Sequence, residues 1–264
     1  MTIALFIRNI EADAEPSLHF LERLLTERGI AWCCYDDSQS LAGVDFILSI
    51  GGDGTLLSAA RLAAERHIAV AGVNFGHLGF LTTAGKEDVE TLVDDLVEGR
   101  FSIEERSLLA VEMSGHQPFP PALNEVSIQR KEYRSFLKVD VFVDDSFVSC
   151  YSGDGVIVAT PTGSTAYSLS CGGPILTPDS GCFVITPIAA HSLSLRPIVV
   201  SDTSVIRLRP HVDGFHPAAM TLDSDWFLME TPGEVAVSKA NVSLPLMRLN
   251  HQHFFNALHE KLAL

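Results

Sequence analysis

The periodicity of the apolar residues changes near residue 101, and this change limits the folds that the chain can adopt. Before it, short apolar runs alternate with stretches at helical spacing, a pattern typical of a parallel α/β sheet. After it, apolar and polar residues alternate with period two between turn residues, which is typical of antiparallel strands. We therefore predict α/β plus all-β architecture, with an α/β domain over 1–100 and a β-sandwich over 101–244.

Four strands and three helices are predicted in the first 100 residues, and one helix at the end of the chain. The strands are placed at 3–7, 30–35, 46–50 and 68–73, and the helices at 16–28, 56–66 and 87–98. Phe255, Leu258 and Leu262 recur at helical spacing, which predicts a helix over 252–262 with these three residues on its apolar face.

Charge and cysteine content exclude several classes of partner and site. The chain of 264 residues carries 18 Lys and Arg against 33 Asp and Glu, a net charge of −15. Because nucleic acids and anionic membranes attract basic surfaces, we expect neither as a partner. No apolar run is long enough for a signal peptide or a spanning helix, which predicts a cytoplasmic protein. The five cysteines have no Cys-x-x-Cys spacing, so they predict reduced thiols and no metal site.

A glycine-rich turn follows the third predicted strand. Residues 51–55 read Gly-Gly-Asp-Gly-Thr and precede the helical stretch over 56–66. Glycines let a ligand approach the backbone, and N–H groups at a helix start favour phosphate. A carboxylate there repels phosphate unless it binds a metal or handles the proton of an attacking hydroxyl, so Asp53 is the candidate catalytic residue. The alternative is a structural turn in which Asp53 caps the helix.

Two further segments carry polar groups that suit a nucleotide. Asn124 and Glu125 stand at the entrance of an apolar strand, where an amide and a carboxylate can bind hydrogen-bonding edges. Asp154 precedes a segment over 160–174 that is dense in hydroxyl side chains and glycines, with Tyr167 available to flank a base. The structural alternatives are a solvated turn for the first segment and a loop that caps a short helix for the second.

Together, these segments resemble the NAD kinase family in identity, order and spacing. The matching motifs are the Gly-Gly-Asp-Gly turn, the Asn-Glu pair and the run Gly163-Ser164-Thr165-Ala166-Tyr167-Ser168 with its trailing Gly172-Gly173-Pro174. The loop over 74–81 resembles a further family segment, so the likeness extends from about residue 46 to 230. The glycine turn alone also resembles those of diacylglycerol-kinase-like lipid kinases and phosphofructokinases.

The resemblance implies a role for each matching residue. By this resemblance, Asp53 would be the catalytic aspartate that faces the 2′-hydroxyl of the adenosine ribose of NAD. Gly51, Gly52, Gly54 and Thr55 would hold the ATP phosphates. Phe80 would lie against the adenine beside the NAD-site residues that follow. The NAD site around the adenosine is formed by Asn124, Glu125, Thr162, Thr165, Ala166, Tyr167, Ser168, Leu169 and Ser170. Asp154 binds nearer the nicotinamide end.

The reaction implied is transfer of the γ-phosphate of ATP to NAD, giving NADP and ADP, with a divalent cation, Mg²⁺, meeting the phosphate charge. The implied fold is a Rossmann-like domain over 1–100 that residues 245–264 complete, with a β-sandwich between. The implied assembly is a homo-oligomer, a dimer or a tetramer.

Two alternatives and several departures stay open at this point. The site could belong to a non-catalytic protein that senses NAD or ATP, or to a lipid kinase that shares the glycine turn. Ser152 and Asp225 stand where family members often carry a basic or amide residue. The basic cluster Arg130, Lys131 and Arg134 either forms a solvated hairpin or meets phosphates from a neighbouring subunit.

Overall fold

The computed structural model describes residues 1–8, 15–35, 41–76, 79–131, 136–212, 217–229, 232–249 and 254–262. The chain divides into two compact units. Residues 1–106 and 242–264 form the first unit, and residues 107–241 form the second. No helix of the described residues is long and apolar enough to span a bilayer.

The helices are α1 (Glu15–Glu27), α2 (Asp53–Arg66), α3 (Val89–Glu98), α4 (Tyr167–Ser170) and α5 (Phe254–Leu262), with short 3₁₀ helices at Lys86–Asp88 and Gly163–Thr165. The strands are β1 (Thr2–Ile7), β2 (Ala31–Cys34), β3 (Phe46–Ile50), β4 (Ala69–Asn74), β5 (Ala84–Gly85), β6 (Phe101–Met113), β7 (Glu125–Arg130), β8 (Leu137–Val143), β9 (Ser146–Gly153), β10 (Gly155–Ala159), β11 (Cys182–Ile188), β12 (Ile198–Ser201), β13 (Ile206–Pro210), β14 (Ala218–Leu222), β15 (Asp225–Met229) and β16 (Val235–Leu249).

A parallel sheet forms the centre of the first unit, as the alternation of strands and helices predicts. Its order is β2-β1-β3-β4, and the end of β16 extends it by a parallel pairing of Leu246 with Val70. The central strands are apolar along most of their length because helices cover a parallel sheet on both faces. Their carboxyl ends lead into the loops that carry Asp53 and Phe80, which is where open α/β sheets bind ligands.

Helix packing in the first unit follows the apolar periodicity, with one correction at the end of the chain. α1 buries Leu18, Leu21, Leu24 and Leu25, and α3 buries Val89, Leu92, Val93 and Leu96. In α5, Leu258 is buried, but Phe255 is 59% exposed. The prediction that Phe255 lies on the apolar face is therefore wrong. Phe254 takes that place, because positions 254, 258 and 262 are spaced by four residues.

The second unit is a sandwich of two layers. One layer is a six-stranded antiparallel sheet in the order β12-β11-β10-β7-β14-β15, and the other contains the first part of β16 with β13, β8 and β9. Inward residues of both layers form one apolar cluster, to which Ile128, Val139, Val158 and Phe183 belong. The alternation of inward apolar and outward polar residues therefore predicts the sandwich correctly.

The long strand β16 runs from the second unit into the first. Its burial alternates at first and then becomes continuous over residues 244–247. This change follows from the two environments, because one face of a sandwich strand meets solvent whereas a strand within a parallel sheet is covered on both faces.

Candidate functional site

The glycine turn of the first unit joins β3 to α2 in a backbone conformation that requires glycine. Gly51 has φ +141°, and its N–H donates to the carbonyl of Val73. A β-carbon there would lie 2.5 Å from the hydroxyl oxygen of Thr55. Glycine therefore lets the turn pack directly against the Thr55 side chain, and α2 begins two residues later at Asp53.

Asp53 is the first residue of α2, and Gly52 occupies the N-cap. The alternative interpretation of Asp53 as a helix cap is therefore wrong. Its carboxylate instead accepts backbone N–H groups from another loop, that of Phe80 at 3.0 Å and that of Leu81 at 3.2 Å. These two hydrogen bonds fix the direction of the carboxylate and leave other lone pairs of its oxygens for a ligand.

The loop after β4 is built around this carboxylate. The Gly79 N–H donates to the Thr82 hydroxyl at 2.6 Å. A β-carbon at Gly79 would overlap the carboxylate of Asp53, so a side chain cannot be placed there without moving one of them. Two residues of the predicted family segment, His77 and Leu78, lie outside the described residues.

A largely enclosed arginine from the last strand supports the same loop. The Arg248 guanidinium donates to the carbonyl of Phe80 at 3.1 Å, and it also pairs with Glu104 at 3.5 Å. Burial lowers the pKa of Arg248, while the negative charges of Glu104 and Asp53 oppose that shift. Glu104 in turn pairs with the buried Arg106. The surroundings of Asp53 thus include positive charge that the glycine turn alone does not predict.

The four predicted phosphate-binding residues differ in what they offer. Gly54 is exposed at the start of α2, where first-turn N–H groups have no acceptor within the helix. The Thr55 N–H already donates to the carbonyl of Gly52, so Thr55 offers its hydroxyl. Gly52 has open space on its β-carbon side, where the nearest atom is the Asn74 amide nitrogen at 3.7 Å, so a phosphate could approach its backbone. Gly51 is closed on that side by Thr55, and its N–H donates to Val73.

In the second unit, Asn124 and Glu125 are held by a distant carboxylate. Asp223, at the turn between β14 and β15, accepts the N–H groups of Leu123, Asn124 and Glu125 at 2.9, 2.8 and 3.2 Å. Its own N–H donates to the carbonyl of Glu125 at 3.0 Å. Asp223 has φ +51°, a conformation that aspartate tolerates better than most residues. The Asn-Glu pair therefore has a fixed backbone before any ligand binds.

Thr160 joins the hydroxyl-rich segment to the Asn-Glu pair. Its hydroxyl donates to the carbonyl of Leu123 at 2.6 Å and accepts the N–H of Gly163 at 3.0 Å. Its N–H donates to the carbonyl of Asn124 at 2.9 Å. A β-carbon at Gly163 would overlap that same carbonyl. These contacts bring the segment of Thr162 to Ser170 beside Asn124 and Glu125.

Glu125 is a buried acid whose hydrogen bonding is incomplete. The N–H of Tyr167 donates to its carboxyl group, but its Oε2 is buried with no hydrogen-bond partner among the described residues. Burial raises the pKa of Glu125 to about 8, with a further contribution from the negative charge of Asp223. A ligand hydroxyl or amine would satisfy this oxygen.

The remaining predicted residues of the segment fall into buried and accessible groups. Thr162 is buried, and its carbonyl accepts the hydroxyl of Thr165 at 3.2 Å. Ser168 is fully buried and shares a hydrogen bond of 2.9 Å with Thr186, so its hydroxyl is used internally. Thr165, Ala166, Tyr167 and Leu169 are half-buried, and Ser170 is exposed.

Asp154 forms an ion pair that sequence reasoning did not predict. Its carboxylate lies 2.8 Å from Nε of Arg130, and its carbonyl accepts the Arg130 N–H at 2.9 Å. Arg130 is therefore engaged locally, whereas Arg134 lies outside the described residues. Gly155 follows, and glycine is needed there because a β-carbon would overlap the carbonyl oxygen of Ile128.

Sequence reasoning missed the residues that hold these two regions. Asp223, Thr160, Gly79 and Arg248 act on residues far away in the chain, as the separation of about one hundred positions between Asp223 and its three N–H donors illustrates. The only sequence signal was the turn at Asp223, an acid with a following serine between two alternating runs.

Comparison with known proteins gives matches over both halves of the chain. Residues 32–101 match the family model of the ATP-NAD kinase N-terminal domain, and residues 123–249 match that of the C-terminal domain. An NAD kinase of Heliobacterium modesticaldum is 41% identical over 226 residues, which are 84% of this chain and 80% of that protein. An NAD kinase of Christiangramia forsetii is 39% identical over 222 residues, which are 83% of this chain and 75% of that protein.

Two solved structures share the fold. An NAD kinase from Archaeoglobus fulgidus in complex with ATP superposes with a TM-score of 0.83 and 28% identity, over 100% of this chain and 99% of that one. A yeast NADH kinase complexed with NADH gives a TM-score of 0.85 over 99% of this chain and 87% of that one. At 21% identity, the yeast likeness is one of fold.

Proposed function

The chain belongs to the NAD kinase family, and we propose that Asp53 orients the 2′-hydroxyl of the adenosine ribose of NAD for attack on the γ-phosphate of ATP. The observation that carries the proposal is the fixed carboxylate, which the Phe80 and Leu81 N–H groups hold at the start of α2. The reaction gives NADP and ADP. The Archaeoglobus relative, which is in complex with ATP, supports ATP as the phosphoryl donor.

Phosphoryl transfer passes through a loose transition state that requires alignment and charge stabilisation more than a strong nucleophile. An aspartate carboxylate is too weak a base to ionise a ribose hydroxyl before attack. Asp53 therefore accepts a hydrogen bond from the hydroxyl, aligns its oxygen, and takes its proton as the new P–O bond forms and the bond to ADP breaks. The N–H groups at the start of α2 stabilise the phosphate charge.

The adenosine of NAD is assigned to the second unit. Asn124 and Glu125 have a fixed backbone, and the Glu125 oxygen that lacks a partner within the described ranges suits a ribose hydroxyl as donor. The half-buried Tyr167 provides a ring for the base. Asp154 remains the proposed contact nearer the nicotinamide, where Arg130 fixes its direction.

A divalent cation, Mg²⁺, fits the first unit as part of the ATP substrate. Mg²⁺ in kinase sites is usually bound by one or two carboxylates together with substrate phosphates. Around Asp53 the described residues form no cluster of three metal-binding side chains. Asp53, whose oxygens retain lone pairs, is the residue that would share the cation. The cation would neutralise charge on the transferred phosphate.

A coupled assay tests the function. The chain is incubated with ATP, Mg²⁺ and NAD, and NADP is detected with an NADP-specific dehydrogenase. We expect NADP to form and ATP to be consumed only when NAD is present. If no NADP forms while NAD still raises the melting temperature, the result favours the sensing alternative. If the chain phosphorylates diacylglycerol without NAD, the result favours the lipid kinase.

Two further predictions accompany this function, one on the oligomeric state and one on the cellular location. A homo-oligomer, either a dimer or a tetramer, stays a prediction, since β edges of the second unit offer surfaces that can pair. Light scattering during gel filtration measures that state directly. A cytoplasmic location also stays a prediction, and fractionation of cells with an antibody against the chain measures it.

A further inference from the structure

Three side chains able to bind a metal meet on the outer face of the sandwich. Asp140 on β8 is the direct cross-strand partner of Cys150 on β9. His211 follows β13, the strand on the other side of β8, and its N–H donates to the carbonyl of Lys138 at 2.8 Å. Strand pairing thus joins residues whose spacing along the chain does not predict a metal site.

The donor atoms are already close together. One oxygen, one sulfur and one nitrogen of the three side chains lie within 4.8 Å of one another. Nε2 of His211 is 2.8 Å from Oδ2 of Asp140, and the Cys150 thiol donates to the same carboxylate. Zinc bonds of roughly 2.0–2.3 Å place neighbouring ligand atoms about 3.3–3.6 Å apart. Small side-chain rotations would bring the three donors to these separations.

We propose that Asp140, Cys150 and His211 bind a zinc ion, with water in the fourth position. The combination of thiolate, imidazole and carboxylate selects zinc over Mg²⁺, which prefers oxygen ligands. Binding releases the thiol proton of Cys150 and leaves the imidazole proton of His211 on Nδ1. The ion replaces the hydrogen bonds among the three side chains and links three adjacent strands.

The surroundings tolerate a cation although basic residues flank it. Arg209 stacks over Phe142 and pairs with Glu234, so its charge is partly compensated. Lys138 is exposed to solvent, which screens its charge. This site is independent of the kinase function.

Cobalt titration tests the proposal, because a cobalt–thiolate bond gives a charge-transfer band in the near ultraviolet. The full chain, reduced and stripped of metal, is titrated with Co²⁺, and zinc is then added in competition. We expect the band to appear, zinc to abolish it, and Cys150→Ser to lack it. Cys34→Ser removes another exposed cysteine and should keep it.

His211→Gln and Asp140→Asn complete the test, and circular dichroism confirms that each variant folds. Each should weaken zinc binding at least about 10-fold, measured by competition with a chromophoric chelator. Zinc should raise the melting temperature of the wild-type chain and not that of Cys150→Ser. A cobalt band that survives in Cys150→Ser, or zinc affinity unchanged in folded His211→Gln, would overturn the proposal.

Discussion

The key acids of the two units differ in how completely their carboxyl oxygens are hydrogen-bonded. In the first unit, the candidate catalytic carboxylate of Asp53 itself accepts two backbone N–H groups. In the second unit, Asp223 accepts three such groups, while Glu125 beside it is buried with one oxygen that finds no partner in the described part of the chain. In the proposed roles, the acid that aligns the reacting hydroxyl is fixed before the substrate arrives. The acid proposed to recognise NAD keeps an oxygen that the substrate would complete.

The largest effect should come from Asp53→Asn. The amide retains one acceptor oxygen but cannot take the hydroxyl proton, so we expect turnover to fall roughly 10²- to 10⁴-fold. Steady-state NADP formation measures it. Asp145→Asn, which changes an exposed aspartate, should leave turnover unchanged. Unchanged turnover in folded Asp53→Asn would remove the catalytic role.

Gly79→Ala should disturb the same acid without changing it chemically. Because a β-carbon there would overlap the Asp53 carboxylate, the acid or its loop must move, and we expect turnover to fall about 10²-fold. Gly181→Ala, whose β-carbon would meet only an ordinary contact, is the matched control. Equal activity of both variants would show that the position of Asp53 is not critical.

Asp223→Ala should affect binding and stability more than turnover. It removes the acceptor of three N–H groups, so we expect the free energy of unfolding to fall by roughly 3 kcal/mol and the KM for NAD to rise about 10-fold. Urea denaturation and initial rates measure the two effects. Asp179→Ala, at an exposed aspartate, should change neither. A fall in turnover with unchanged KM would contradict the assignment.

Glu125 should make stability depend on pH. Its pKa is about 8 in the folded chain and near 4.5 ordinarily, so between these values the folded chain holds a proton that the unfolded chain has released. The free energy of unfolding should therefore decrease as pH rises from about 4.5 to about 8, by at most about 1.4 kcal/mol per pH unit. Denaturation of wild type and Glu125→Gln at several pH values measures it. The variant should show a flatter profile, and parallel profiles would refute the raised pKa.

Thr160→Val should have the smallest effect. The hydroxyl links the carbonyl of Leu123 to the N–H of Gly163, and its loss leaves both groups buried without that partner, at a cost of about 1–2 kcal/mol. Urea denaturation measures the change, with Thr203→Val at an exposed position as control. Equal stability of the two variants would mean that the link contributes little.

Local patterns predict much of this molecule. The parallel strands, the sandwich and the glycine turn follow from the spacing of apolar residues and glycines, since such spacing depends on each element alone. The family resemblance comes from motifs within single segments. Phe255 shows the limit of prediction from apolar spacing. Two adjacent phenylalanines fit the same helical pattern, and only the packing of α5 decides which one faces inward.

Long-range contacts account for what could not be predicted. Asp223, Arg248 and Thr160 support the candidate site through partners in other strands or loops, and no local spacing encodes those pairings. The ion pair of Asp154 with Arg130 depends likewise on the pairing of β7 with β10. Burial of Glu125, and hence its raised pKa, emerges only when several segments pack together.

Asp53 is proposed to act on the reaction, and the second unit is proposed to bind NAD. The most direct test is calorimetric titration of NAD, without ATP, into wild type and Asp53→Asn. We expect dissociation constants that agree within about threefold, a difference below 1 kcal/mol, although turnover differs by orders of magnitude. A dissociation constant that rises in Asp53→Asn as far as turnover falls would contradict it, because Asp53 would then bind NAD rather than align its hydroxyl.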